Sequence, residues 1–233
     1  MPPSKEPKLL WMGGNMIEFK YYPSEEVADG LFRIGAIKDK TKSPNGKGFK
    51  LALHEKTPDA PLSPLYVDLR IVRSFPKLLD KVATAYMEMQ SEEKIKCDLL
   101  ADVPTAATPI VTIISQARNV AMVTPRGEKT HGSGAAIDGV YAPGQTVLVI
   151  DDLITKADSK LAAIKILESK GLVVRDVMVL VDREQGGREQ LEAAGYGLHS
   201  VFTLSQLLDY YLEKGQMSED VYNEVKAYFA ASK

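Results

Sequence analysis

Apolar and polar positions along the chain change their period several times, and each period predicts an element. From Pro23 the spacing is helical: Val27, Leu31 and Ile34 recur three or four residues apart, Ser24 stands at the N-cap position, and Gly35 closes the segment. Glu25 and Glu26 fall in the first turn, where the helix dipole favours them. Residues 39–64 are rich in Lys, Pro, Gly and Asp and predict turns around a short strand at Phe49–Leu53. Leu65–Val72 alternates as a strand does, and Pro76–Met89 is amphipathic with helical period.

The centre of the chain carries short, β-branched, largely apolar runs at Cys97–Val103, Val120–Thr124, Thr146–Ile150 and Asp176–Val181. Helical segments at Thr108–Arg118 and Ser159–Lys170 lie between them. Apolar strands alternating with helices predict a parallel sheet covered on both faces. Leu204–Glu213 and a Ser218-capped helix with Val221, Val225 and Phe229 on one side complete the chain. The expected fold class is α/β: a central, mostly parallel sheet flanked by helices, with a small N-terminal α/β hood. Residues 1–22 are expected as a loose N-terminal arm, 23–213 as the main domain with the hood within 23–75, and 214–233 as a C-terminal helix.

Composition narrows the function classes. Lys and Arg number 29 against 31 Asp and Glu, so a net charge of −2 leaves no basic footprint for nucleic acid or an anionic membrane. Cys97 is the only cysteine and the 3 histidines are scattered, which argues against a disulfide framework and a protein-built metal cage. No apolar run approaches the ~20 residues of a membrane span. The start, MPPSKEPKLLWMGG, has no signal-peptide core, so a cytoplasmic location is expected. Neither a Gly-x-Gly-x-x-Gly fingerprint, nor a Walker loop, nor a nucleophile elbow is present.

The chemistry concentrates in Val147–Ser159. Val147, Leu148, Val149 and Ile150 form a buried strand, Asp151 and Asp152 follow at its carboxyl end, and a short loop enters a helix at Ser159. Ligands of open α/β sheets bind at this edge, and a helix N-terminus offers N–H groups to phosphate. Adjacent carboxylates can hold ribose hydroxyls or, through water, a Mg²⁺ accompanying a diphosphate. Read alone, the pair fits equally a strand end whose carboxylates cap a turn.

This segment resembles the phosphoribosyl-pyrophosphate (PRPP) motif of type I phosphoribosyltransferases. Leu180-Val181-Asp182-Arg183-Glu184-Gln185-Gly186-Gly187 and Leu198–Leu204 are similar to the orotate phosphoribosyltransferase family in particular. Leu31–Ala36, Ser63–Arg70 and Gly139–Tyr141 match in the family's order, over about residues 24 to 212. The resemblance implies a pentosyltransferase of pyrimidine (UMP) synthesis: orotate displaces pyrophosphate from PRPP, with Mg²⁺, in a homodimer. It implies that Asp151 and Asp152 meet the ribose and the metal's water shell, the metal being held indirectly. Thr155 and Ser159 would donate to the 5′-phosphate, while Arg183, Thr155 and Tyr66 would contact orotate. In the loop Thr124–Gly134, Arg126, Lys129 and His131 match residues that contact pyrophosphate from the neighbouring subunit, and Lys129, His131 and Asp152 carry the catalytic expectation. Without the family, that loop is a solvated hairpin and Arg183 a surface ion pair with Glu184 or Glu189.

Four departures from the family cluster at the anion-binding loops. Lys156-Ala157-Asp158 replaces small residues and glycines, and Asp158 would repel a phosphate unless Lys156 or Lys160 offsets it. Asp102 and Ala106 stand where the pyrophosphate-side loop tends to have glycine. Either the Arg126 loop is one residue shorter or Arg126 replaces a lysine. Ala52 stands at a lysine position, with Lys50 two residues before it. An enzyme with rearranged phosphate contacts, a transferase for another base, and a PRPP- or nucleotide-binding regulator all remain open at this point.

Overall fold

The computed structural model describes residues 9–12, 15–51, 53–126 and 136–231. The chain opens with a hairpin of β1 (Leu9–Met12) and β2 (Asn15–Glu18), paired Leu9 to Glu18. The segment up to residue 22 is not a loose arm throughout. Phe19 and Tyr21 are buried, with Phe19 against the rings of Phe202 and Tyr210 at 5.1 and 5.0 Å. The Tyr21 hydroxyl donates to Glu93 at 2.6 Å.

The hood follows. Helix α1 (Ser24–Arg33) buries Val27, Ala28 and Leu31, but Pro23 rather than Ser24 takes the cap position. Strand β3 (Ile37–Asp39) pairs antiparallel with β4 (Leu65–Val67). The strand expected at Phe49–Leu53 reduces to one bridge, Phe49 to Ser63, and the chain turns into the short α2 (Leu53–Lys56). The cause is local: His54 Nδ1 accepts from the Leu51 N–H at 2.9 Å, and its Nε2 meets the Ala60 carbonyl at 3.1 Å, closing this polar stretch on itself. The strand expected through Val72 also stops early. Residues 69–74 wind into a 3-10 helix, because the buried positions Leu69 and Val72 are three apart, its period.

The core matches the expected alternation. In chain order come α3 (Pro76–Glu92), β5 (Leu99–Asp102), α4 (Thr108–Arg118), β6 (Ala121–Pro125), β7 (Ile137–Asp138), β8 (Thr146–Ile154), α5 (Asp158–Glu168), β9 (Val173–Asp182), α6 (Gly187–Ala193), β10 (Gly197–Thr203), α7 (Leu204–Glu213) and α8 (Glu219–Ala230). The sheet runs β10-β9-β8-β5-β6-β7, parallel except for β7. Period-two alternation splits its side chains: Leu148, Ile150, Met178 and Leu180 face α3 and α4, while Val147, Val149, Val177 and Val179 face α5. Val221, Val225 and Phe229 of α8 join the same core as α3 and the hood. Among the described residues no helix is long and apolar enough to cross a membrane.

The strand ends differ from expectation where it matters. β8 continues to Ile154, four residues past Ile150, because β9 keeps supplying partners as far as Leu153 to Val181 and Ile154 to Asp182. On the other side β5 stops at Asp102, opposite Ile150. Asp151 and Asp152 therefore lie within a strand whose β5-facing edge is unpaired.

Candidate active site

Three strand ends and the hood meet at this edge. Asp151 is buried and tied on all sides: Oδ2 lies 2.5 Å from Lys160 Nζ, Oδ1 accepts from the Asp152 N–H at 2.9 Å, and its carbonyl accepts from the Tyr86 hydroxyl at 2.6 Å. Lys160 is 4% exposed and also donates to the Leu153 carbonyl at 2.6 Å. It reaches inward as the charge pattern allowed, but toward Asp151 rather than Asp158. Asp158 starts α5, where the helix dipole favours its carboxylate.

Asp152 is half-buried, with Oδ1 accepting from the Leu153 N–H at 2.8 Å. Burial first, and the Asp151 carboxylate second, push its pKa up to about 7. Of the two carboxylates it is the one left open to a ligand.

Thr155 is half-buried and Ser159 exposed, on either side of the turn into α5. Lys160 Nζ lies 3.4 Å from the Ser159 hydroxyl. The Ala157 N–H, at the head of α5, is already bonded to the Gln190 side chain of α6 at 2.7 Å. Lys156 is exposed and extends toward the next turn, its Nζ 3.2 Å from where a Gly186 Cβ would stand.

That turn, Asp182–Gly187, is a built structure. The Arg183 N–H donates to the Ile154 carbonyl at 2.9 Å, and the Glu184 N–H, at positive φ, to Asp182 Oδ1 at 2.9 Å. Gly187 packs so closely on β8 that a Cβ would come within 2.5 Å of Ile154. Arg183 pairs with neither Glu184 nor Glu189. Glu184 accepts from the Ser205 N–H, and Arg188 takes the ion pair with Asp182 at 3.1 Å. The Arg183 guanidinium instead lies over the Phe229 ring, 5.6 Å from its centroid, and burial lowers its basicity.

From the hood, Tyr66 stacks on Phe49 at 5.4 Å and accepts from Arg70 at 3.4 Å. Arg70 is held as a cation mainly by Asp68, 2.8 Å away, and also by the field of Asp152. On the same 3-10 helix, Arg73 donates to the Thr105 carbonyl of the loop between β5 and α4 at 2.5 Å. Below that loop Asp102 is fully buried, accepting from Thr108 and, at 2.5 Å, from Thr124. Arg126 pairs with Asp138 at 2.6 Å on the surface. Lys129 and His131 lie outside the described residues. Sequence reasoning missed Arg70, Arg73 and the pairing of Lys160 with Asp151. Spacing three apart was the available signal for the two arginines.

The sheet order, the carboxylate at its open edge and the built turn beside it define a type I phosphoribosyltransferase. The solved structure of Leishmania donovani UMP synthase superposes with a TM-score of 0.74 and 31% identity, over 90% of this chain and 42% of that one. No family model matches the chain. The orotate phosphoribosyltransferase of Chlamydia caviae is 38% identical over 205 residues, 85% of this chain and 92% of that protein. The uridine 5′-monophosphate synthase of Bos taurus is 36% identical over 167 residues, 71% of this chain, which spans only 35% of that protein. The chain belongs to the orotate phosphoribosyltransferase family, which places it among the pentosyltransferases.

Proposed function

We propose that this site transfers the phosphoribosyl group of PRPP to orotate, giving orotidine 5′-monophosphate and pyrophosphate for pyrimidine nucleotide synthesis. The observation that carries the reading is the meeting of Asp152, Thr155 and the Arg183 turn at one open sheet edge. A ring nitrogen of the base bonds to the ribose anomeric carbon as the bond to the pyrophosphate oxygen breaks, so positive charge develops on the ribose. An under-solvated carboxylate such as Asp152 stabilises that charge more in the transition state than in the ground state. Thr155, Ser159 and the amides at the head of α5 receive the 5′-phosphate. The Ala157 amide, held by Gln190, is withdrawn from that set. Arg183 offers the N–H edge of its guanidinium to the orotate carboxylate, beside Tyr66.

The donor set fits a Mg²⁺ held indirectly. Asp151 is consumed by Lys160, and among the described residues no group of three or more His, Cys, Asp or Glu converges. Asp152, through water, would hold the ion together with the diphosphate of the substrate. When bound, it supplies charge neutralisation for the leaving pyrophosphate. Arg126, Lys129 and His131 are assigned to the same leaving group from the neighbouring subunit, which makes the working unit a homodimer, in the cytoplasm.

Loss of orotate absorbance on mixing the protein with orotate, PRPP and Mg²⁺ tests the reading. Arg183→Ala should raise the KM for orotate far more than that for PRPP. Turnover only with another base would reassign the base, and PRPP binding without turnover of any base would make the chain a sensor.

A further inference from the structure

Arg183 is a half-buried cation with no ion-pair partner among the described residues. Its Nε has no hydrogen-bond partner, and among the described residues no carboxylate accepts from its guanidinium. Removing such a charge from water is unfavourable unless something compensates. What covers it is aromatic and comes from α8: the Phe229 ring, 5.6 Å from its guanidinium carbon. Phe229 is not a loose end. It is 9% exposed and meets the Tyr228 ring edge-on at 5.4 Å. Its helix is bound to the hood by the Lys40–Glu224 ion pair, and to α7 by Tyr222 and Lys226, 2.6 and 3.5 Å from Asp209.

The two kinds of partner use different parts of a guanidinium. A carboxylate takes the in-plane N–H edge, whereas an aromatic ring attracts the cation without accepting those hydrogens in pairs. An ion-pair partner would hold Arg183 still and also use up the donors. A ring holds it and leaves them.

We propose that Phe229 is a positioning residue for base recognition, which holds the Arg183 guanidinium so that its N–H edge stays available to the carboxylate of a planar anionic base. The C-terminal helix is then the back wall of the base corner. The proposal rests on the reading of Arg183 given above.

Steady-state kinetics of the full chain test it, varying orotate and PRPP separately in Phe229→Leu, Phe229→Trp and Arg183→Ala. Phe229→Leu should raise the KM for orotate about two- to thirtyfold, the span of a cation–ring contact, with the KM for PRPP unchanged. Phe229→Trp should restore the parental value. Should the leucine variant melt too low to assay, Phe229→Met, which is unbranched and adapts to the gap, serves in its place. Equal KM values for orotate in parent and leucine variant, an equal rise for both substrates, or no rescue by Trp would overturn the proposal. If Arg183→Ala leaves the orotate KM unchanged, the base-corner reading itself falls. If Arg183→Ala raises it and Phe229→Leu does not, only the role of Phe229 falls.

Discussion

Lys160 Nζ lies 2.5 Å from Asp151 Oδ2, with both side chains at most 8% exposed. The helix dipole opposes a lysine in the first turn of α5, so the carboxylate and the Leu153 carbonyl are what hold it there. Lys160→Met would strand Asp151 and should lower stability by about 3–5 kcal/mol. Asp151→Asn combined with Lys160→Met removes both charges and should recover most of the loss. Urea denaturation of the two variants checks this, and a double variant no better than the single one would contradict it.

Asp152 should set stability against activity, lowering the first and supporting the second. Its raised pKa lets the folded chain keep a proton that the unfolded chain gives up near the ordinary carboxylate range. Its contribution to stability is therefore fully present below about pH 4 and is lost as pH rises toward about 7. Asp152→Asn should melt several degrees above the parent at pH 8, with an upper bound of about 4 kcal/mol, and together with it near pH 4. Its turnover should fall about a hundredfold or more. Melting curves across pH, with turnover at one pH, measure both.

Gly187 is required by proximity rather than by its dihedrals. An alanine Cβ would stand 2.5 Å from Ile154 Cγ1 and 2.8 Å from the Thr155 carbonyl oxygen. Gly187→Ala should cost about 1–3 kcal/mol and push the Arg183 turn off β8. The KM for orotate should rise more than that for PRPP. Equal effects on both would mean that the turn does not belong to the base corner.

Phe19 should count as core although it precedes the first helix. Phe19→Ala would empty the space between Phe202 and Tyr210 and should destabilise by about 3–5 kcal/mol, read by chemical denaturation. A loss below about 1 kcal/mol would return the segment to the status of an arm.

The sheet was legible because Leu99–Ala101, Val147–Ile150 and Val177–Val181 are apolar on both faces, a pattern that only a doubly covered sheet accommodates. The extension of β8 was not, since two carboxylates read as a strand's end. It is possible only because Lys160, Tyr86 and β9, all distant in sequence or in period, satisfy that backbone and charge. In the hood, Leu65–Val72 is too short to separate a period of two from a period of three. The Arg183–Phe229 contact has no local signature at all, since nothing around Phe229 distinguishes it from an ordinary apolar helix position. Asp102 stands where the family tends to have glycine, and the two hydroxyls that hold its carboxylate come from separate elements.

Those two hydroxyls make Asp102 a tie-rod. One oxygen holds Thr108 at the head of α4, the other holds Thr124 near the tip of β6, and the carboxylate between them is sealed from water. Displacing the tip of β6 therefore loads the first turn of α4 through that one buried carboxylate, beside the β5–β6 ladder itself.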